Sequence, residues 1–327
     1  MAYTSYNGYN TRPHWGGASS DTDIHLEIFE GEIDTAFQYQ SFFRGNSNFR
    51  SVQDRSNTIR IDRMGTLGIK SRKSGEALES QRVTNDKLVV TVDTLTYART
   101  PIDYQDDWTA PDTLPELARL HGTEHAKLFD QAHIIQLMKC RKFVAPAHLA
   151  GAFFNGIEKE AIINADKSVY AENIQEAHAC GLTELINRDL GASIDEAITL
   201  VTPEIFDILL HHDKLMSVDF SNGNGNFAMR RMGYCNGVRL YETPRFPSDA
   251  ITNHQLGTSF NVDTTDVACK MLTYIPRLTL VAVEAKPLTV QQWQDQKEFA
   301  NVLDSYAMYT IGQRRPDAMF AVKMVAE

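Results

Sequence analysis

Apolar positions recur at helical spacing over two stretches of the chain. In 24–43 they fall at Ile24, Ile28, Phe29, Ile33, Ala36 and Phe37, behind Asp21, Thr22 and Asp23 as capping residues. In 112–141 the series is Leu114, Leu117, Leu120, Leu128, Ala132, Ile135 and Met138. Asp112 or Thr113 can cap this second helix, and Pro115 is tolerated in its first turn. At 1.5 Å per residue, about 28 residues make a rod of roughly 40 Å. Residues 1–23, rich in Tyr, Asn, Gly and Ser, carry no periodicity and read as an arm without a core.

Between the two helices the pattern shortens. Residues 44–86 alternate charge with strand-like pieces, Thr58-Ile59-Arg60-Ile61 and Gly68-Ile69-Lys70, and lack a sizeable apolar face. This predicts a projecting two-stranded ribbon, which is marginal alone and needs a surface to lie on. The β-branched run 87–99 predicts a buried strand. From about 150 the pattern is mixed, with helices over 171–189 and 204–212 and strands over 198–201 and 238–241. A flexible loop is expected at Asn222-Gly223-Asn224-Gly225-Asn226. The tail predicts strands over 277–285 and 319–325, with a helix over 291–309 between them. The expected fold class is α+β.

A chain of 327 residues with 43% hydrophobic and 23% charged residues can bury a core, in roughly two domains. No apolar run approaches the about 20 residues a membrane helix needs, and the first twenty residues predict no secretory leader. Cysteines at 140, 180, 235 and 269 are too widely spaced for a Cys-x-x-Cys metal site or a disulfide framework. No cofactor is expected.

Charge changes the picture more. The chain carries −10, yet residues 44–82 hold nine basic and four acidic side chains, a balance of +5 that leaves −15 elsewhere. A nucleic-acid arm would interleave aromatic platforms with its charges, and only Phe49 lies among them. The favoured reading is a strap between subunits. In it Arg50, Arg55, Arg60, Arg63, Lys70, Arg72 and Lys73 land on Asp103, Asp106, Asp107, Asp112 and Glu116 of a neighbouring copy.

One string suggests catalysis. His121-Gly122-Thr123-Glu124-His125 matches H-x-x-E-H on a predicted helix, the arrangement in which inverted zincins hold zinc with two histidines and use the glutamate as base. Glu196 or Glu204 would then supply the third ligand. The competing reading is the exposed face of the long helix, with no metal. His211-His212-Asp213 is read as a solvated helix end, because adjacent helical histidines diverge by about 100°.

The order of these parts resembles the major capsid proteins of tailed bacteriophages, with the fold named after phage Hong Kong ninety-seven, and most closely the short-tailed, T-seven-like group. The likeness rests on His25-Leu26-Glu27-Ile28-Phe29-Glu30-Gly31-Glu32-Ile33-Asp34-Thr35-Ala36-Phe37, on Arg50 to Glu79 with Ile59, Gly65 and Gly75-Glu76, on Lys87 to Asp107, and on Asn236-Gly237-Val238 through Pro244. Ser305-Tyr306-Ala307-Met308-Tyr309 and Arg314-Arg315-Pro316-Asp317-Ala318 complete it.

The resemblance implies an arm and first helix (1–43), an extended loop (44–86), a peripheral domain (87–175 and 276–327, with the long helix about 112–141) and an axial domain (176–275). It implies a non-enzymatic subunit that assembles with itself into hexamers and pentamers of an icosahedral head around double-stranded DNA. Scaffolding protein and portal would assist assembly, a decoration protein could bind the shell, and no membrane is involved. The protein would be made in the host cytoplasm and reside in the virion.

Overall fold

The structure is a computed structural model, which describes residues 41–326 except 53–55, 106–113, 190, 217–224 and 227–230. Residues 24–40 of the predicted helix over 24–43, the arm 1–23 and most of the loop at 222–226 therefore lie outside the described residues.

In chain order the strands are β1 (Asn48–Ser51), β2 (Thr58–Met64), β3 (Asn85–Thr91), β4 (Leu95–Asp103), β5 (Ile157–Ile162), β6 (Ile198–Val201) and β7 (Gly225–Asn226). They continue with β8 (Arg231–Met232), β9 (Tyr234–Cys235), β10 (Val238–Glu242), β11 (Cys269–Tyr274), β12 (Leu280–Asp295), β13 (Ala300–Gln313) and β14 (Met319–Val325). The main helices are α1 (Leu114–Cys140), α2 (Lys167–Asn187) and α3 (Pro203–Leu209). The chain divides into two compact units.

The larger unit spans 42–93, 130–285 and 310–327. Its centre is a mixed six-stranded sheet in the order β5-β14-β11-β6-β10-β9. β6 is buried at all four positions, as its run of Ile198, Thr199, Leu200 and Val201 requires of a central strand. α2 starts where the Asp166 side chain accepts from the Ser168 amide, and α3 where Thr202 caps Ile205 ahead of Pro203. Their apolar faces, including Ile174, Leu185, Ile205 and Leu209, join Val201, Met271, Phe320 and Val322 in one core.

The core also holds a polar chain. Asn236 Nδ2 lies 3.0 Å from His178 Nδ1, so Nδ1 accepts and Nε2–H donates to Thr199 Oγ1 at 3.1 Å. Thr199 in turn meets Thr273 Oγ1 at 2.9 Å. Asn236, at φ 49°, and Gly237, at φ 82°, form the tight turn between β9 and β10, and Gln175 on α2 holds that turn through Asn236 Oδ1. The hairpin was legible in Asn236-Gly237 and was missed.

Just beyond the end of α1, Arg141 Nη2 bonds Asp266 at 2.6 Å and Lys142 reaches the same carboxylate at 2.8 Å, while Arg141 also pairs with Glu158. Burial alone would raise Asp266, but hydrogen bonds from Lys142 and Arg141 outweigh it and hold the carboxyl below its usual range. Removing one partner of such a buried pair leaves an uncompensated charge.

The smaller unit, over its described parts, spans Ser41, 94–105, 114–129 and 286–309. Here β4 and β13 pair antiparallel, from Asp103↔Ala300 to Leu95↔Met308. The first part of α1 lies against β13, where Phe129 meets Tyr309 edge-on at 5.2 Å.

Four predicted elements change. The helix over 291–309 is instead the end of β12 and the start of β13, whose burial alternates at period two from Asp304 to Ile311. Pairing of β13 with β4, and of β12 with β13, overrides local helix propensity there. The single buried strand over 87–99 is two strands, and β3 is half exposed because it belongs to the ribbon. The ribbon's return strand is β3, not 68–70. His212 is not solvated: it is buried, and its Nδ1 accepts from the Leu215 amide.

Candidate functional site

The ribbon pairs Thr58↔Thr91 through Met64↔Asn85. Along β2, Ile59, Ile61 and Arg63 face inward while Thr58, Arg60, Asp62 and Met64 face out. Beyond it, 65–84 forms no ladder and is almost wholly exposed. Ile69 is 100% exposed, Leu78 81% and Leu67 62%, and each would gain about 1.5–3 kcal/mol if a partner covered it fully. A cleft of about 790 Å³ separates the two limbs of this tip, with Leu67 and Leu78 beside Lys70 and Arg72.

The root of the ribbon is fixed to its own unit. Thr84 Oγ1 donates to His148 O at 2.6 Å, and His148 Nε2 lies 3.5 Å from Asp86. Gly312 lets Val90 approach so closely that a Cβ there would sit 2.7 Å from its methyl group. Arg63 turns inward and donates to the carbonyls of Gln313 and Arg314 at 2.9 and 3.1 Å. Its guanidinium stands 5.3 Å from the Phe153 ring centre and 6.0 Å from that of Phe143. Burial lowers its pKa, against the raising pull of Asp86 and Asp317.

The predicted contact residues therefore fall into groups. Arg60 pairs with Asp62 at 2.7 Å and Lys70 with Glu79 at 2.6 Å, both on the exposed outer surface. Arg72 donates to Lys73 O, and the Lys73 amide to Glu76. Arg50 lies in β1, half-buried, whereas Arg63 is engaged within its own chain, where its partners are carbonyls and aromatic rings. Asp103 ends β4 and accepts from the Gln105 amide at 2.8 Å. Arg55, Asp106, Asp107 and Asp112 lie outside the described residues, as does the side chain of Glu116.

The H-x-x-E-H string has a different role from the one its spacing suggested. His121 Nδ1 and His125 Nε2 each lie 3.1 Å from Ser305 Oγ, and His121 Nε2 lies 2.8 Å from Thr100 Oγ1. Both rings are buried, so the string does not lie on an exposed face: the two histidines tie α1 to β13 and β4. Burial lowers both pKa values, which favours neutral imidazoles that can donate with one nitrogen and accept with the other. Glu124 points away, exposed, and pairs with Lys127. Among the described residues no group of three or more His, Cys, Asp or Glu could hold a metal ion.

A rooted ribbon with an apolar, basic tip, a mixed sheet backed by helices, and a long helix on an antiparallel pair define a shell-subunit fold of the Hong Kong ninety-seven type. The chain is similar to the subunit in the asymmetric unit of the bacteriophage PhiM1 mature capsid, at 54% identity over 99% of both chains and a TM-score of 0.85. It shares its fold with the cyanophage P-SCSP1u capsid (15% identity, 97% of this chain and 99% of that one, TM-score 0.78). A virus-like particle from Pyrococcus furiosus is more distant (13% identity, 89% and 95%, TM-score 0.53). No protein-family model and no curated protein matches the chain. The chain belongs to the bacteriophage major capsid proteins. The zinc-peptidase alternative has no support in these likenesses.

Proposed function

We propose that this capsid subunit works without catalysis, forming hexamers and pentamers of an icosahedral head through its ribbon, which lies across a neighbouring copy. The carrying observation is the tip, where Leu67, Ile69 and Leu78 stand exposed and Leu67 and Leu78 line a cleft with Lys70 and Arg72. A ribbon with a fixed root and an uncovered apolar tip gains its stability only when another surface covers it. In this reading 87–175 and 276–327 form the peripheral domain and 176–275 the axial domain. The head encloses double-stranded DNA on its inner face. Scaffolding and portal proteins direct assembly in the host cytoplasm, and a decoration protein binds the finished shell.

The test is Ile69→Asp with Leu78→Asp in the full chain. Both side chains are already exposed, so the melting temperature of the unassembled subunit should be unchanged. Shells counted by negative-stain microscopy should fall by about tenfold or more, since losing one buried apolar side chain alone is worth that factor. Normal shell yield from the double variant would overturn the strap.

A further inference from the structure

Above the ribbon root lies a cavity of about 620 Å³, large enough for a short peptide segment. Four guanidinium-bearing side chains line it: Arg63, Arg188, Arg314 and Arg315. Their hydrogen bonds go largely to neutral oxygens. Arg63 donates to the carbonyls of Gln313 and Arg314, Arg314 to that of Arg277, Arg315 to that of Ala152 and Arg188 to that of Asp317. Carboxylates answer only part of the charge: Asp317 meets Arg315, and Glu184 is divided between Arg188 and Lys159. Of the acidic side chains on the wall, Asp62 is already paired with Arg60, which leaves Asp189. Phe153 and Phe154 add aromatic surface, stacked beneath Arg315 and Arg188 respectively. A basic, aromatic cavity of this kind suits an acidic segment that also carries apolar side chains.

The chain contains such a segment. Residues 13–43 hold no Lys or Arg, and 21–34 carry Asp21, Asp23, Glu27, Glu30, Glu32 and Asp34, interleaved with Ile24, Leu26, Ile28, Phe29 and Ile33. The other acidic stretch, beginning at Asp103, is partly built into β4. We propose that the cavity at the ribbon root receives the acidic segment 21–34 of a second copy of the chain. Each subunit would then give one arm and receive one, and arm capture would add a second hold on the ribbon root beside the Arg63 anchor that lines the cavity. This rests on the shell reading above, because only an assembling subunit presents a neighbour's arm.

Two measurements test it. In the first, Arg314→Gln is combined with a neutral arm (Asp21→Asn, Asp23→Asn, Glu27→Gln, Glu30→Gln, Glu32→Gln, Asp34→Asn). Each change alone should lower shell yield by about tenfold, and the combination should be no worse than the neutral arm, as expected when both remove one contact. Multiplied losses, or a neutral arm that assembles normally, overturn the proposal. A neutral arm that assembles normally with Arg314→Gln impairing only DNA retention would assign the cavity to nucleic acid.

In the second, Cys180→Ser protein carrying Thr66→Cys is assembled with Cys180→Ser protein carrying Glu30→Cys and then oxidised. A disulfide-linked dimer confined to the shell fraction is expected. A link that forms only when both cysteines sit in one chain would place the arm on its own subunit and overturn the neighbour's role. Wild-type shells without the link sink this contact alone, whereas wild-type protein that never forms shells sinks the assembly reading itself.

Discussion

At the scale of single residues, buried imidazoles are the most informative groups. His178 is fully buried, and burial pushes its pKa from 6.5 down to about 3. Below 6.5 the unfolded chain takes up a proton that the folded one refuses, so this histidine's contribution is whole above pH 6.5 and is lost progressively down to about pH 3. Between pH 7.5 and 5.5 it should cost about 1.4 kcal/mol of unfolding free energy. His121 and His125 act in the same direction, so the clean measurement is a difference. Denaturant titrations of wild type and His178→Phe at the two pH values should show a smaller pH-dependent loss in the variant. An equal loss in both would mean that His178 already titrates normally in the fold. The histidine string at 121–125 teaches the same lesson about legibility. Its spacing correctly put both rings on one helical face, but metal and Ser305 are indistinguishable partners in sequence, because Ser305 lies 180 residues beyond His125.

At the scale of elements, what could be read was whatever carried its own periodicity or composition. The long helix, the central strand β6 and the last strand β14 stand where apolar spacing put them, and β6, β14 and the helix from Ala132 through Ile135 to Met138 bury that pattern, although Leu120 is exposed. The strands replacing the 291–309 helix were illegible: β13 takes its identity from pairing with β4, a contact about 200 residues away, and β12 from pairing with β13. The ribbon's return strand was hidden in the same way, behind a 20-residue excursion. Close approach between elements leaves a fainter trace, a glycine in a helix. A Cβ at Gly181 in α2 would sit 2.5 Å from the ring of Phe320 in β14, which is fully buried. Alanine at 181 would gain about 1 kcal/mol of helix propensity. Overpacking against a ring with nowhere to move costs about 1–3 kcal/mol, so the balance tips toward destabilisation. Gly181→Ala should therefore lower the denaturant midpoint of the unassembled subunit, and a raised midpoint would mean that α2 can shift on the sheet.

At the scale of the whole molecule, the sequence divides its charge into +5 on 44–82 and −15 elsewhere, and the proposed strap gives that division a role in assembly. The structure refines which charges are free to act outward. Arg63 is engaged at the root, whereas Arg60, Arg72 and Lys73 lie on the exposed surface of the ribbon and its tip. A reversal confined to those three residues leaves the root untouched and tests the strap alone. The expected landing ground is Asp103, Asp106, Asp107, Asp112 and Glu116 of a neighbouring copy. Exposed pairs are worth only about 0–1 kcal/mol each, but a shell repeats them in every subunit, so small losses multiply. Arg60→Glu, Arg72→Glu and Lys73→Glu together should reduce shell yield sharply with little change in subunit melting temperature. Adding Asp106→Lys and Asp107→Lys to the same chain should restore part of the yield, since opposite charges again meet across the boundary. Raised salt should imitate the triple reversal in wild type, because screening acts beyond about 8–10 Å at ordinary ionic strength, and should affect the reversed protein less. Assembly is read by sedimentation and microscopy, and DNA retention by nuclease protection. Normal assembly of the triple reversal with altered DNA retention would turn the ribbon's charges toward the genome and end the strap reading.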